Sequence, residues 1–212
     1  MAVTTRYEPS GIETEFEPGS RNRVLRNRLG IRSIRDMERR ESAALLRATE
    51  HMIDVTRSDQ RFSANDIRAM HRVWLGDVYE WAGEYRQVNL AKGGFMFAAA
   101  NRVPPLMRDL SAGALREYTP CNFSVLELQV HALAVVHAEL VLIHPFRDGN
   151  GRCARLLSTL MGVQAGLPPL PFASLQGIEK RRYEAAVRAA FLKDYVPMER
   201  VFRRVIERTL GG

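Results

Sequence analysis

The sequence has 212 residues, enough for one large domain or for a domain with a small appendage. Its hydrophobic content of 46% and charged content of 26% exclude a chain that is disordered throughout. The formal net charge of +7 fits a nucleic acid, a phosphate-bearing ligand or an acidic partner, but solvated surface arginines produce the same balance.

The cysteines and the N-terminus indicate the compartment. Cys121 and Cys153 lie far apart, without a CxxC motif or metal-like spacing, which fits a reducing environment. The segment MAVTTRYEPSGIETEF has no basic stretch followed by an apolar core, so we expect no signal peptide. The sequence therefore predicts a cytoplasmic protein.

The N-terminal segment predicts an arm and a short helix. Residues 1–19 are polar and contain prolines and glycines, so we expect an irregular arm before a single domain over residues 20–212. Ser20 is a candidate N-cap for the segment RNRVLRNRLG, and Gly30 is its candidate end.

Two longer helices are predicted next. Ser33 begins IRDMERRESAALLRATEHMIDVTR, whose apolar residues favour one face, and Ser63 begins a helix that ends near Gly83. Eight arginines fall between positions 21 and 40, alternating with apolar residues and two acids. We interpret them as the basic exterior of an amphipathic helix, with DNA binding as the alternative.

One extended segment interrupts the helical pattern. In EYRQVNLAKGGFMFAAANR, the run YRQVNL alternates as a strand would, Gly93 and Gly94 supply a turn, and FMF predicts a return strand. An isolated hairpin has edges that can pair with another strand. It is therefore either a connector or a clamp that binds a peptide by strand addition.

Five further helices are predicted in the C-terminal half. The Pro104–Pro105 pair begins LMRDLSAGALREY, and a very apolar helix follows over residues 123–142. CARLLSTLMGVQAG predicts a helix that ends at Gly166, and two more are predicted near residues 177–193 and 197–210.

The most apolar stretch, residues 125–143, raises the question of a membrane span. It carries polar side chains that a bilayer would tolerate poorly, namely Glu127, Gln129, His131, His137 and Glu139. We therefore predict a buried central helix, no membrane partner, and an all-α fold with one hairpin.

That apolar helix runs into VLIHPFRDGNGRCARLL, residues 141–157. Pro145 disfavours helical geometry at His144, so the chain turns out of the helix there. The glycines of DGNG let backbone amides converge at the start of the next helix, whose N-terminus attracts anions. The motif predicts a histidine beside an anion site.

The polar side chains of the motif extend this interpretation. Asn150 can donate hydrogen bonds, and Arg152 and Arg155 share one face of a helix, where guanidinium groups suit phosphate oxygens. Asp148 suits Mg²⁺ beside phosphates. With His144 as general base, the run describes a nucleoside-triphosphate site that is not a Walker A loop. The alternative is a capping histidine followed by a surface turn.

The segment HPFRDGNGRCAR resembles the Fic family motif, HPFx(D/E)GNGRxxR, at every specified position. Three other segments are similar to parts of Fic proteins: NRVLRNRLGI, VYEWAGEYRQVNLAKGGFMF and IEKRRYEAAVRAA. The resemblance extends over residues 20–208. It implies a Fic fold, a compact helical domain with a β-hairpin flap.

The resemblance also implies an activity. Fic proteins usually transfer AMP from ATP to a hydroxyl group of a target protein, a reaction called AMPylation. By position in the motif, His144 would deprotonate a Ser, Thr or Tyr hydroxyl, and Asp148 would bind Mg²⁺. Gly149, Asn150 and Gly151 would form the anion hole.

The same resemblance assigns the remaining site residues. Arg152 would bind the departing phosphates and Arg155 the γ-phosphate, while Tyr183 falls where the family often has a tyrosine near the adenine. The flap would hold the target segment by strand addition, and it consists of Lys92, Gly93, Gly94, Phe95, Met96 and Phe97.

Some features depart from the family pattern. Fic proteins often have Gly-Asp after the helix that follows the motif, where this chain has Lys193 and Asp194, and Phe191 stands at the place of a frequent asparagine. The inhibitory pattern (S/T)xxxE(G/N) is absent, because no glutamate precedes glycine or asparagine. This resembles Fic toxins that a separate small antitoxin inhibits, so we expect a partner whose glutamate contacts Arg155.

Other activities stay open. Kinase-like relatives such as Doc carry a lysine in place of the second motif glycine, so Gly151 argues against phosphate transfer, but transfer of UMP or phosphocholine remains an alternative. A non-catalytic, basic nucleic-acid-binding module is the alternative from another class, without a helix-turn-helix to support it. A type II topoisomerase subunit is the leading candidate target.

Overall fold

The structure, a computed structural model, describes residues 12–172 and 177–211. The α-helices are α1 (Ile34–Val55), α2 (Ala64–Leu75), α3 (Val103–Leu110), α4 (Arg116–Tyr118), α5 (Leu126–Ile143), α6 (Asn150–Gln164), α7 (Gly177–Ala190) and α8 (Val196–Leu210). Strands β1 (Ala91–Lys92) and β2 (Phe95–Met96) pair antiparallel, with Ala91 opposite Met96. The predicted all-α fold with a hairpin is confirmed.

Shorter elements join these helices. Single 3-10 turns cover Ile12–Thr14 and Ala100–Arg102, and a π-helical turn over Ser111–Leu115 joins α3 to α4. Residues 1–11 of the predicted arm lie outside the described residues. The division of the chain at residue 20 therefore stays a prediction.

Helix α5 is the centre of the fold. It packs against α3, α6, α7 and α8, and its residues Leu133, Ala134 and Val136 are fully buried. In the part of the chain that the structure describes, α5 alone is long and apolar enough to cross a membrane by length and composition. Because four helices pack on it, the interpretation as a core helix accounts for its hydropathy.

Serine caps begin the first two helices, as the sequence predicts. The Ser33 hydroxyl oxygen accepts the N–H of Asp36 at 3.4 Å. Ser63 forms a complete capping box with Asp66, because the serine oxygen accepts the Asp66 N–H and the carboxylate accepts the Ser63 N–H at 2.8 Å. The last three predicted helices and the apolar helix before them also form, with ends within a few residues of the predicted ones. The helix predicted after Pro104–Pro105 is instead divided into α3 and α4, because Gly113 has non-helical backbone angles between them.

The predicted helix between Ser20 and Gly30 is wrong. Arg21 and Asn22 have φ angles of +56° and +57°, which no right-handed helix contains. The side-chain amide of Asn27 donates hydrogen bonds to the carbonyl oxygens of Leu25 and Ile31. Its oxygen accepts hydrogen bonds from the backbone N–H groups of Leu29 and Ile31. Local side-chain bonding therefore replaces the bonds that a helix would have made.

The predicted end of α2 is also wrong, since α2 stops at Leu75 instead of near Gly83. Residues 76–83 form consecutive turns that bury Val78 and Trp81 in a second core against α1. Gly83 has a φ of +81°, so a helix could not have included it. The apolar pattern that suggested a longer helix reflects burial of a turn.

The hairpin turns at Gly93 and Gly94 as predicted, but YRQVNL is not a strand. Its alternation arises because Arg86 and Val88 are both buried, at 1% and 7% exposure, without pairing to a second strand. The carbonyl group of Val88 accepts a hydrogen bond from the Arg86 side chain instead. The strands of the hairpin are therefore two residues long each.

Replacing Ser63 by alanine removes the two hydrogen bonds of its hydroxyl group, one accepted from the Asp66 N–H and one donated to the Asp66 carboxylate at 2.6 Å. We expect Ser63→Ala to lower the free energy of unfolding by about 1 kcal/mol. Ser33→Ala, which removes one longer and exposed hydrogen bond, should cost less. Urea denaturation of the two variants checks this, and an equal or reversed order would contradict the role given to the capping box.

Candidate active site

A cleft of about 750 Å³ lies where the hairpin, the end of α5, the start of α6 and one face of α7 meet. Most of the predicted site residues line it: Lys92, Gly93, Phe95, Phe97, His144, Asp148, Gly149, Asn150, Gly151, Arg152, Arg155 and Tyr183. Gly94 and Met96 do not, and Met96 is exposed on the hairpin. The fold thus gathers residues from Lys92 to Tyr183 around one cleft, while their roles stay predictions.

The chain leaves α5 through a left-handed turn at His144, with a φ of +53° and a ψ of +59°. This conformation is uncommon for residues other than glycine. The buried guanidinium group of Arg86 holds it, because it donates to the carbonyl groups of Ile143 and His144. The same group donates to Val88 and Ala98, on the two sides of the hairpin.

The imidazole of His144 has a defined tautomer. Its Nδ1 lies 3.0 Å from the carbonyl oxygen of Val141, and because a carbonyl group only accepts, Nδ1 carries the hydrogen. In the neutral ring, Nε2 then holds the lone pair. Burial lowers the pKa of His144 to about 4, assisted by the charges of Arg86 and Lys92 and opposed by the Val141 bond. His144 is therefore a neutral base near pH 7.

The loop after His144 is fixed by close contacts. Gly149 has a φ of +79°, and a Cβ atom there would lie 2.7 Å from Trp74 and 3.3 Å from His71. The Asn150 side chain is buried and bonds the backbone of Phe146 twice, accepting its N–H at 2.8 Å and donating to its carbonyl oxygen at 2.7 Å. The sequence analysis expected the Asn150 side chain to donate hydrogen bonds to an anion. In the structure, this side chain holds the loop instead.

His71 supports the loop from α2 and was missed by the sequence analysis. Its Nδ1 accepts the N–H of Gly83 at 2.9 Å, so the other nitrogen, Nε2, donates to the carbonyl oxygen of Asp148 at 3.0 Å. Its ring stacks on the fully buried Phe146 with centroids 3.9 Å apart. A single histidine on an amphipathic helix carries no sequence signal for such a role.

The start of α6 presents the positive groups. The first N–H groups of α6 have no intrahelical partner, and Arg152 and Arg155 project from the same end of the helix into the lining of the cleft. Arg152 pairs with Glu41 at 2.5 Å. Burial lowers the pKa of Arg155, which forms no ion pair with a carboxylate among residues 12–172 and 177–211. An anion in the cleft would compensate that charge.

Asp148 is the candidate metal ligand. One of its oxygens accepts the N–H of Gly149 at 2.6 Å, and the other lies 3.7 Å from Nη2 of Arg152. Within the described ranges, no group of three or more His, Cys, Asp or Glu could hold a metal. A single carboxylate beside two arginines of the cleft fits Mg²⁺ held together with an anionic ligand, since Mg²⁺ takes one or two carboxylates, phosphate oxygens and waters.

Tyr183 is fixed by a chain of hydrogen bonds that runs into the core. The Ser158 hydroxyl donates to the carbonyl oxygen of Ala154, so its oxygen accepts from Nδ1 of His137 at 3.0 Å. The other nitrogen of His137 then accepts the hydroxyl hydrogen of Tyr183 at 2.9 Å. The hydroxyl group of Tyr183 is used in this series of hydrogen bonds, and the residue also lines the cleft, where its ring is available to a ligand.

The hairpin closes over the cleft from the other side. The ring of Phe97 stacks on the imidazole of His144 with centroids 3.6 Å apart. Arg188 of α7 lies 3.4 Å from the carbonyl oxygen of Gly93, and Phe95 meets Phe191 edge to face. Contacts from two sides thus hold the hairpin beside the histidine.

Comparison with known proteins assigns the family. The model of the Fic/DOC family matches residues 61–161, which include the hairpin and the motif. The probable protein adenylyltransferase y4lH of Sinorhizobium fredii is 31% identical over 86% of this chain and 91% of its own length. The chain belongs to the Fic/DOC family.

Other relatives agree with this assignment. The probable protein adenylyltransferase Fic of Escherichia coli K12 is 28% identical over 86% of this chain and 88% of its own length. Protein adenylyltransferase VbhT of Bartonella schoenbuchensis is 32% identical over 76% of this chain, which spans 33% of VbhT.

Solved structures confirm the Fic fold. Bartonella tribocorum BepC with bound AMPPNP superposes with a TM-score of 0.72 at 20% identity, over 91% of this chain and 96% of BepC. A Fic domain of Bartonella quintana with bound ADP also gives a TM-score of 0.72, at 22% identity over 91% of this chain and 94% of that domain.

One departure from the Fic pattern has a structural explanation. Lys193 stands where Fic proteins often have glycine, and its φ of +62° is a left-handed conformation that glycine adopts without strain. The Lys193 ammonium group pairs with Glu139 at 2.8 Å. In this Fic protein, the left-handed turn at this position is therefore formed by a lysine that pairs with Glu139.

The low pKa of His144 predicts its titration. The neutral ring should persist as pH falls from 7 to about 5 and become protonated near pH 4, as measured by NMR of the imidazole. Unfolded histidine has a pKa of ~6.5, so the unfolded state binds more protons than the folded state between that pH and the lower pKa of folded His144. Stability should therefore fall as pH drops through that window. Titration of folded His144 near the unfolded value would contradict the burial argument.

Alanine at Gly149 tests the support of the loop. Gly149→Ala places a Cβ atom against Trp74 in a left-handed backbone, and we expect a loss on the order of 2 kcal/mol in the free energy of unfolding. Gly151→Ala is the matched comparison, since its Cβ atom would lie 3.7 Å from Arg155, an ordinary contact. Thermal unfolding should separate the two, and equal melting temperatures would contradict this account.

Proposed function

We propose that this chain transfers AMP from ATP to a serine, threonine or tyrosine hydroxyl of a target protein. The chain is in this view a Fic-type protein adenylyltransferase, as its relatives in Escherichia coli and Sinorhizobium fredii are named. The observation that carries the proposal is the neutral His144 imidazole, with its lone pair on Nε2, in the same cleft as Arg152 and Arg155.

The reaction is a single displacement at the α-phosphorus of ATP. The target hydroxyl oxygen forms a bond to that phosphorus while its proton passes to Nε2 of His144. The bond from the α-phosphorus to the bridging oxygen breaks, and pyrophosphate leaves. Arg152 and Arg155, with the N–H groups at the start of α6, stabilise the negative charge that develops on the phosphates.

Nucleotide and metal binding follow from the same cleft. BepC with bound AMPPNP and the Bartonella quintana Fic domain with bound ADP support a nucleotide as the ligand. Asp148 would hold Mg²⁺, which supplies charge neutralisation to the phosphates when it is bound. The Tyr183 ring, fixed through its hydroxyl group, would lie against the adenine ring of the nucleotide.

The hairpin would hold the target. Its two strands pair with each other, which leaves backbone groups at the outer edges for an added strand. Because Phe97 stacks on His144, a target segment bound at the hairpin would lie near this histidine, the general base. A type II topoisomerase subunit is the first target to test.

We further propose that a separate small antitoxin controls the activity of this Fic protein as a toxin. A glutamate from such a partner would pair with Arg155, whose half-buried side chain has no carboxylate partner in the described part of the chain. The purified chain should then be active without its partner. A purified, folded chain that transfers nothing to any lysate protein would argue against this form of control.

The test is transfer of label from α-labelled ATP to proteins of a bacterial lysate and to purified topoisomerase subunits, with Mg²⁺ present. His144→Ala should lower the rate by about 10²–10⁴-fold, because the general base is lost. His51→Ala replaces an exposed histidine of α1 and serves as the matched control.

The outcomes separate the alternatives. Label that requires His144 supports AMP transfer and identifies the target. Label from UTP or from a phosphocholine donor, but not from ATP, would assign another donor, and label from γ-labelled ATP would assign phosphate transfer. If no label is transferred, and DNA binding is salt-dependent and equal in the wild type and His144→Ala, the nucleic-acid-binding module is favoured.

A further inference from the structure

A carboxylate that lies far from the motif in sequence contacts Arg152. Glu41, on α1, places Oε2 2.5 Å from Nη1 of Arg152, and the side chain of Glu41 is 6% exposed. Its other oxygen, Oε1, accepts the hydroxyl hydrogen of Tyr79 at 2.6 Å. Both oxygens of this buried carboxylate therefore have a partner.

Trp74 also contacts the guanidinium group of Arg152. Its indole N–H donates to the main-chain carbonyl oxygen of Glu41 at 2.9 Å, and the guanidinium group of Arg152 lies over its ring, 4.7 Å from the centroid. The ring covers one face of the guanidinium plane while the carboxylate fixes one edge. Arg152 is thus held by contacts from α1 and α2.

The rest of the guanidinium group is available to the cleft. Arg152 lines the cleft, its side chain is 27% exposed, and its Nη2 lies 3.7 Å from Oδ2 of Asp148. A long side chain that is already ordered loses little rotamer entropy when a ligand binds. The Glu41 contact therefore prepares Arg152 for an anion in advance.

We propose that Glu41 is a positioning residue, which orients Arg152 toward the phosphates of the nucleotide. Helix α1 lies outside residues 61–161, the segment that matches the family model, so the motif alone does not include it. The proposal rests on the proposed function, since it takes a nucleotide as the ligand of the cleft. It makes α1 a part of the active site.

The test is binding of AMPPNP in the presence of Mg²⁺, measured by isothermal titration calorimetry. Glu41→Gln keeps the side-chain size and an oxygen for Tyr79 but removes the charge. We expect affinity for AMPPNP to fall about tenfold, since a charge-assisted hydrogen bond is lost. Affinity for adenosine should not change, because adenosine has no phosphate for Arg152.

A double-mutant cycle separates positioning from a general effect on the fold. In the Arg152→Ala background, Glu41→Gln should weaken AMPPNP binding less than about twofold, because the side chain that it orients is gone. Glu38→Gln makes the same chemical change at an exposed residue of α1 and should leave AMPPNP affinity unaltered. Thermal unfolding of each variant confirms that it is folded at the temperature of the titration.

Several results would overturn the proposal. Equal AMPPNP affinity in wild type and Glu41→Gln would do so, and so would tighter binding by the variant, which would mean that Glu41 competes with phosphate for Arg152. An equal loss in both backgrounds, or an equal loss for adenosine, would indicate a structural role. Failure of the wild-type chain to bind AMPPNP would contradict the proposed function itself, and this inference with it.

Discussion

The buried guanidinium group of Arg86 is the interaction on which the arrangement of the site depends. It joins the last carbonyl groups of α5 to both sides of the hairpin, and it has backbone carbonyl groups as its partners. A positive charge at the C-terminus of a helix is favourable because unpaired carbonyl groups concentrate negative charge there. The left-handed turn at His144 and the position of the hairpin over it therefore have one common support.

The charges of the cleft are arranged unequally. Arg152 has a buried carboxylate partner in Glu41 and a second carboxylate, Asp148, nearby, whereas the half-buried Arg155 lies beside Tyr183 without one in the described part of the chain. One guanidinium group is thus held in place before a ligand arrives, and the other gains most from an anion. This division fits a site where position and charge stabilisation supply most of the catalysis.

Three histidines lie in or near the site, with His71 and His137 buried and His144 half-buried, and location decides what each does. The pKa of His71 and of His144 is lowered to about 4 and that of His137 to about 3, with burial as the main cause in each case. All three are neutral near pH 7, and a neighbouring backbone or hydroxyl group fixes the tautomer of each. His71 and His137 use both nitrogens for structure, while His144 lines the cleft and keeps a lone pair on Nε2.

The sequence by itself determined the helical class, the caps at Ser33 and Ser63, and the motif from His144 to Arg155. These follow from short-range patterns, because apolar spacing, capping and glycine-rich turns act over a few residues. The same reasoning predicted a helix after Ser20 that does not form, since the Asn27 side chain bonds the backbone there. Only the tertiary structure decided which distant residues complete the site. Glu41 and Arg86 reach it through pairing of buried charges with distant groups, and the spacing of residues along the chain does not encode that pairing.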